Sequence, residues 1–165
     1  MSDALLLVAA VAAATARGAT PLVLAALGGL FAERSGVVDI GLEGKMLVSA
    51  FAAAATATVT GSAWIGLGAG IAAAVLVSLV HGFACVTHHG NQVVSGMALN
   101  ITVSGLTAVL GYAWFREGAQ TPLLGAGARF GPIELPGAAT LRGVPGLGLI
   151  YSDVVSGHNV LVYIA

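Results

Sequence analysis

The chain has 165 residues, of which 58% are hydrophobic and 8% are charged, and its formal net charge is −1. Soluble domains carry about 25% charged residues, whereas residues 46–115 of this chain contain no Asp, Glu, Lys or Arg. A soluble domain of this size exposes too much surface to hide such a stretch, but lipid accepts apolar side chains. The composition therefore predicts an all-α, polytopic transmembrane helix bundle in a lipid bilayer, and the near-neutral charge provides no basic face for nucleic acid.

The first apolar segment covers residues 4–32, and its only charged residue is Arg17. A continuous helix of this length would exceed the roughly 30 Å hydrocarbon core of a bilayer. Gly18 and Pro21 follow Arg17 and weaken the helix at this point. Two interpretations are open: one long helix that is kinked near Gly18 to Pro21, or two shorter membrane segments that meet at a break.

Residues 33–45, with the sequence ERSGVVDIGLEGK, form a dense cluster of charges. The glycines Gly36, Gly41 and Gly44 argue against a continuous helix. They predict a broken or re-entrant segment here, followed by a helix that starts near Gly44. The free N–H groups of that helix start can face a polar substrate in a central cavity. A phosphate-binding loop is not expected, because Leu42 stands where that motif requires lysine.

Three further helices are predicted over residues 46–60, 63–87 and 92–115, joined by turns at residues 61–62 and 88–91. The first of them is short for a span, so its first turn is expected to begin inside the glycine-rich segment. Gly66 and Gly70 form a small-xxx-small pair, which predicts close packing between helices in lipid.

The last predicted helix carries an unusual number of uncharged polar residues: Asn91, Gln92, Ser95, Asn100, Thr102, Ser104 and Thr107. They either form hydrogen bonds between helices or line a pore that binds hydroxyl-rich solutes. A second cluster has the helical spacing of metal ligands and consists of His81, Cys85, His88 and His89. Additional thiolates or acids are missing from it, so no metal site is expected. Nor does a catalytic triad or a cofactor motif stand out, so an enzyme is not expected.

Residues 117–158 contain four of the five prolines and show no helical periodicity. They predict an extramembrane excursion packed on the mouth of the bundle, with short strands as one option. Residues 159–165 are typical of the opening of another span, but seven residues are too few to cross a bilayer. The expectation is a single transmembrane domain over residues 1–165 that is truncated at its C-terminus.

Two blocks of sequence carry a family resemblance. The first runs from Pro21 to Leu47 and includes ERSGVVDIGLEG, and the second is NQVVSGMALN at residues 91–100 with Gly-Leu-Thr at 105–107. Together they resemble the permease subunits of bacterial ABC importers, in the nucleoside and simple-sugar branch that is related to branched-chain amino acid permeases. Full members of that family are longer, and the loop that docks on the ATPase lies in their other half.

The resemblance implies a permease that moves nucleosides or simple sugars across the bacterial inner membrane. It implies a second permease subunit, cytoplasmic ATPase subunits and an extracytoplasmic substrate-binding protein as partners, with residues 33–45 and 88–91 on the inside. Glu43, Asn91 and Asn100 are the residues it places in pathway or structural roles, and Ser95 is added as a pore-lining candidate. The alternatives are a secondary transporter or channel, which would need pore-facing acids in the spans, and a non-transport membrane scaffold.

Overall fold

The structure is a computed structural model that describes residues 3–116, 120–133, 151 and 156–164. The α-helices in these ranges are α1 (Asp3–Arg34), α2 (Leu42–Thr60), α3 (Ala63–Gly82), α4 (Gln92–Phe115) and α5 (Val160–Ile164). A π-helical turn, Phe83–Thr87, extends α3, and a 3₁₀ turn covers Ala126–Ala128. The described ranges contain no β-strand and one isolated antiparallel bridge, between Ile133 and His158. The prediction of an all-α fold is confirmed.

Helix α1 is continuous over 32 residues and contains Pro21 in its interior. Pro21 lacks a backbone N–H and cannot donate the usual hydrogen bond to the preceding turn. The residue before it, Thr20, donates its hydroxyl to the carbonyl of Ala16 at 3.0 Å, inside the same helix. Of the two interpretations of the first segment, one long helix is therefore correct, and Arg17 does not mark a break.

The chain divides into two compact parts, of which the larger is Leu27–Arg129. Helix α2 lies at the centre of this larger part, since it packs against both α3 and α4. The turn between α2 and α3 is set by Gly61, which adopts a left-handed conformation at φ +69° and donates its N–H to the Ala57 carbonyl at 2.9 Å. Such a glycine cap ends a helix sharply, so α2 and α3 form a tight hairpin.

Small residues allow α2 and α3 to approach closely. A Cβ atom added to Gly66 would lie 2.7 Å from the carbonyl oxygen of Ala53, and one added to Gly70 would lie 2.9 Å from that of Ser49. Distances under 3.0 Å are essentially forbidden to real Cβ atoms. The prediction that Gly66 and Gly70 mediate close packing is confirmed.

The smaller part comprises Met1–Ala26 and Phe130–Ala165. Its described residues include the bridge in which Ile133 donates to the His158 carbonyl at 2.9 Å, and the short helix α5. Helix α5 lies where the opening of another span was predicted. Most of the predicted excursion at 117–158 lies outside the described residues, and the single-domain arrangement of residues 1–165 stays a prediction.

Within the described residues, three helical stretches are long and apolar enough to cross a membrane: Leu7–Arg34, Ala63–Thr87 and Gln92–Phe115. Large apolar side chains on α3 and α4 stay exposed, including Val80 at 66% and Ile101 at 72%. Lipid accepts such surfaces, whereas water penalises them. The chain is a multi-pass membrane protein.

Candidate functional site at the break between the first two helices

The break between α1 and α2 consists of residues 35–41, shorter than the segment 33–45 that the sequence predicted. Gly36 adopts φ +86°, a conformation that glycine accepts without strain, and its N–H bonds to the Glu33 carbonyl at 3.0 Å. Gly41 is the residue before the first turn of α2. Gly44 lies inside that turn, so α2 begins earlier than predicted and Gly44 is not part of the break. Position 44 is a glycine because the first turn of α2 packs closely against α4 there.

One face of α4 holds the break in place. Gln92, Gly96 and Asn100 are spaced at i, i+4 and i+8, which puts them in one row along the helix; we call this row the α4 clasp. The Gln92 side-chain oxygen accepts a hydrogen bond from the Val38 N–H at 2.6 Å. The Asn100 side-chain nitrogen donates to the carbonyl of Ile40 at 3.1 Å. The clasp therefore satisfies backbone groups that the break leaves without helical partners.

Asn100 also caps helix α2 from outside. The first N–H groups of a helix have no partner within it, and Gly41 has no side chain with which to cap them. The Asn100 oxygen accepts the Gly44 N–H at 2.8 Å instead. A Cβ atom on Gly44 would lie 2.8 Å from that oxygen and 3.1 Å from the Asn100 Cα. Gly44 is thus a point of close approach between α2 and α4.

Gly96 is the corresponding point of close approach on the α4 side of the contact. A Cβ atom on Gly96 would lie 2.9 Å from the Gly41 nitrogen and 3.1 Å from the Ile40 Cβ. The middle of the clasp is therefore a glycine because the backbone of the break rests directly on α4.

A buried polar cluster lies beside the break and consists of Asp39, Lys45, His81, Cys85 and Ser95. Asp39 and Lys45 form an ion pair, with side chains only 8% and 11% exposed. The same Asp39 carboxylate accepts the Gly41 N–H at 3.1 Å, which fixes its position in the break. Buried charges are costly unless they are paired and hydrogen-bonded, and this ion pair meets both conditions.

His81 connects the ion pair to the two later helices. Its Nε2 atom lies 3.8 Å from Asp39 Oδ1, and the side chain is 2% exposed. Its Nδ1 atom shares a hydrogen bond of 3.1 Å with the Ser95 hydroxyl of α4, and the Cys85 sulfur lies 3.7 Å from its Nε2 atom. In the part of the chain that the structure describes, no group of three or more His, Cys, Asp or Glu residues is arranged to hold a metal ion.

The structure brings two of the four predicted pathway residues to the break, through separate contacts: Asn100 in the clasp and Ser95 in the polar cluster. Asn91 caps α4, since its side-chain oxygen accepts the N–H groups of Val93 and Val94 at 3.0 and 3.1 Å. Glu43 is exposed in the first turn of α2, where a carboxylate interacts favourably with the helix dipole.

Sequence reasoning missed the contacts of Asp39, Lys45 and His81. Asp39 and Lys45 are six residues apart across a break, and no helical spacing predicts that pair. His81 meets Ser95 from another helix. The sequence did contain one signal for them. Each of the three is an ionisable residue beside apolar spans, and ionisable groups in that setting need partners.

The family described as "Branched-chain amino acid transport system / permease component" matches residues 11–132 of this chain. Among curated proteins, the chain is 44% identical over 104 residues to a protein of Haloferax volcanii named as a putative glucose ABC transporter permease, covering 63% of this chain and 32% of that protein. It is 39% identical over 143 residues to the guanosine ABC transporter permease protein NupQ of Bacillus subtilis, covering 82% and 43% of the two chains.

A third relative is the nucleoside ABC transporter permease protein NupC of Lactococcus lactis, which is 34% identical over 105 residues, covering 60% of this chain and 33% of that protein. The chain thus spans less than half the length of each of these relatives. No solved structure matches it.

Proposed function

Because this chain belongs to the family of permease components of branched-chain amino acid transport systems, we propose that it forms the N-terminal part of the transmembrane permease subunit of an ATP-binding-cassette importer. The observation that carries the proposal is the helix break at residues 35–41, held by the α4 clasp beside apolar helices. In membrane proteins, irregular backbone is tolerated where protein covers it or where it lines a water-filled cavity. Transporters build solute pathways from such broken helices.

The solutes are nucleosides or simple sugars. The names of the three relatives support this class, since they refer to glucose, guanosine and nucleosides. The location is the bacterial inner membrane, with residues 33–45 and 88–91 on the cytoplasmic side. ATP is hydrolysed by separate cytoplasmic ATPase subunits, so this chain is a transport subunit and not an enzyme. A second permease subunit and an extracytoplasmic substrate-binding protein complete the assembly.

Four residues either line the substrate pathway or stabilise the segments around it: Glu43, Asn91, Ser95 and Asn100. The contacts of Asn100 with Ile40 and Gly44 support a stabilising role, because they fix the break against α4. Gly36 and Gly41 provide the break itself, and Gly44 lets α2 approach α4.

A secondary transporter is the competing function, and one observation favours it. The buried cluster of Asp39, Lys45 and His81 is the kind of ionisable group that proton-coupled carriers place in their pathways. The non-transport scaffold has no such observation in its favour.

Uptake by the purified intact assembly separates the two functions. The gene product is reconstituted into liposomes with its ATPase and substrate-binding partners, and uptake of radiolabelled guanosine and D-glucose is measured with ATP, without ATP and with an imposed proton gradient. The importer requires ATP and the binding protein. A matched control carries an ATPase subunit that binds but does not hydrolyse ATP. Uptake that follows the proton gradient and ignores ATP would contradict the importer and favour the carrier.

A further inference from the structure

A groove between α2 and α4 begins one helical turn beyond the clasp. Ser104 follows Asn100 by four residues on α4, and Leu47 follows Gly44 by three on α2, so both continue the faces that meet at the break. The groove has a volume of about 630 Å³ and reaches Gln120 and Thr121 at its far end. Small-molecule sites in proteins are typically about 300–1,000 Å³.

The groove contains polar side chains that have no hydrogen bond in the described part of the chain. In the described residues, the side chains of Ser104, Gln120 and Thr121 make no hydrogen bond and line the groove. Thr107 lines it too, but its hydroxyl donates within α4, to the carbonyls of Val103 and Ser104 at 2.9 and 3.1 Å. The groove therefore differs from the clasp, where Asn100 already bonds to protein through both its oxygen and its nitrogen.

An aromatic ring forms part of the groove wall. Phe51 of α2 lines it and stacks on Trp114 of α4, with ring centroids 6.0 Å apart and planes 25° apart. This contact holds the Phe51 ring in one orientation. Aromatic faces bind the apolar face of a flat or ring-shaped ligand, while nearby polar groups fix its orientation.

None of the described residues that line the groove is charged. Lys45 and Asp39, towards the break, already neutralise each other. A zwitterionic amino acid that enters the groove would lose part of its hydration without a counter-charge for either end among these residues, which is costly. A neutral solute that bears hydroxyl groups avoids that cost and uses the free donors and acceptors.

We propose that this groove binds a neutral, hydroxyl-bearing ring solute, a sugar or a nucleoside, with Ser104, Gln120 and Thr121 forming hydrogen bonds to it and Phe51 packing on its ring. This proposal rests on the proposed function, since it makes the groove a solute-binding site on the translocation pathway of an importer. It adds to that function a binding place for the solute on this chain, and its lining chemistry disfavours free amino acids as cargo.

Protection of an engineered thiol tests the site in the intact importer. Cys85→Ser removes the cysteine of this chain, any other cysteine of the importer is replaced likewise, and Ser104→Cys then introduces a thiol of nearly the same size in the groove. Labelling with N-ethylmaleimide is timed with guanosine, D-glucose or L-leucine present. Guanosine or D-glucose should slow the reaction about fivefold at a concentration about four times the Kd of that solute, because the labelling rate falls by a factor of 1 + [L]/Kd, and L-leucine should not. Thr102→Cys, two residues along α4 and not in the groove, is the matched control and should label at one rate throughout.

Uptake by the unmodified importer is measured in parallel, so that the two ideas fail separately. ATP-dependent uptake of guanosine or D-glucose with no protection at position 104 overturns the groove and leaves the importer standing. Equal protection by L-leucine overturns the neutral-solute class. A thiol at 104 that stays unlabelled without solute overturns the site as well, because another protein segment then fills the groove. Uptake of L-leucine without any uptake of guanosine or D-glucose overturns both the groove site and the proposed function. As a second readout, Ser104→Ala should lower the maximal uptake rate severalfold at an unchanged amount of assembled importer.

Discussion

Helix α2 meets α3 and α4 through two different kinds of surface. Against α3 it presents the backbone of Ser49 and Ala53, on which Gly70 and Gly66 rest at van der Waals distance. Against α4, its first turn and the break before it are held by the hydrogen bonds of Gln92 and Asn100. One surface depends on shape alone, whereas the other depends on polar groups as well.

The difference follows from what the backbone needs in each place. Along α3 every interior peptide group already has a partner within its helix, so contact with α2 requires only close fit. At the break, Val38 and Gly44 present N–H groups and Ile40 presents a carbonyl that no helix satisfies. Unsatisfied backbone groups are expensive in a membrane protein. Glycines therefore allow close approach at both surfaces, but polar side chains are needed in addition only where the helix is interrupted.

The largest expected effect comes from the buried ion pair beside the break. Lys45→Met should destabilise the protein by about 3–5 kcal/mol, because it leaves the Asp39 carboxylate buried without its partner. Combining it with Asp39→Asn should recover most of that loss, since no uncompensated charge then remains. Unfolding in mixed detergent micelles measures both variants. A double variant as unstable as Lys45→Met alone would show that the pair matters through something other than charge.

The shape-dependent surface is tested next, with a matched pair of glycines on α3. Gly66→Val should destabilise the protein by about 1–3 kcal/mol, because the new side chain overlaps the Ala53 carbonyl. Gly68→Val is the control, since a Cβ atom there meets nothing within 4 Å. The same detergent titration compares them. Equal losses would mean that valine harms α3 by itself and that the α2 contact is not responsible.

Removal of the clasp amide should have a smaller effect on stability and a larger one on transport. Asn100→Leu leaves the Gly44 N–H and the Ile40 carbonyl without this partner, at a cost of about 1–2 kcal/mol. Asn100→Gln should lie between it and the wild type, because it keeps the amide donor and acceptor but places them one methylene further from the helix. Thr102→Leu, on an exposed part of α4, is the control. Uptake by the proposed importer that stays normal in Asn100→Leu would show that Asn100 serves packing alone.

The sequence predicted the elements well and their contacts only in part. The bounds of α4 at Gln92 and Phe115 were predicted without error, because Asn91 is a favourable cap and Arg116 follows the apolar run. The break was predicted too long, because the sequence does not distinguish a glycine that interrupts a helix from a glycine that allows two helices to approach closely. Gly44 is of the second kind.

Tertiary pairing explains the rest of what the sequence did not show. The His81 contacts with Asp39 and Ser95 join three elements, and spacing along the chain indicates neighbours only within one helix. For α1, the residues left two interpretations open because proline can either end a helix or sit inside it.

Two serines on α4 give the smallest and most specific test of the comparison. The Ser95 hydroxyl is engaged with His81 at 3.1 Å, whereas that of Ser104 is exposed in the groove. Ser95→Ala should therefore cost about 0.6 kcal/mol, the average for a side-chain hydrogen bond between membrane helices. Ser104→Ala should leave the unfolding free energy unchanged and lower uptake. Both variants remove one hydroxyl from the same helix, so helix propensity and size cancel. If Ser104→Ala destabilised the protein as much as Ser95→Ala, the Ser104 hydroxyl would be a structural group, and it would not be available to bind a solute in the groove.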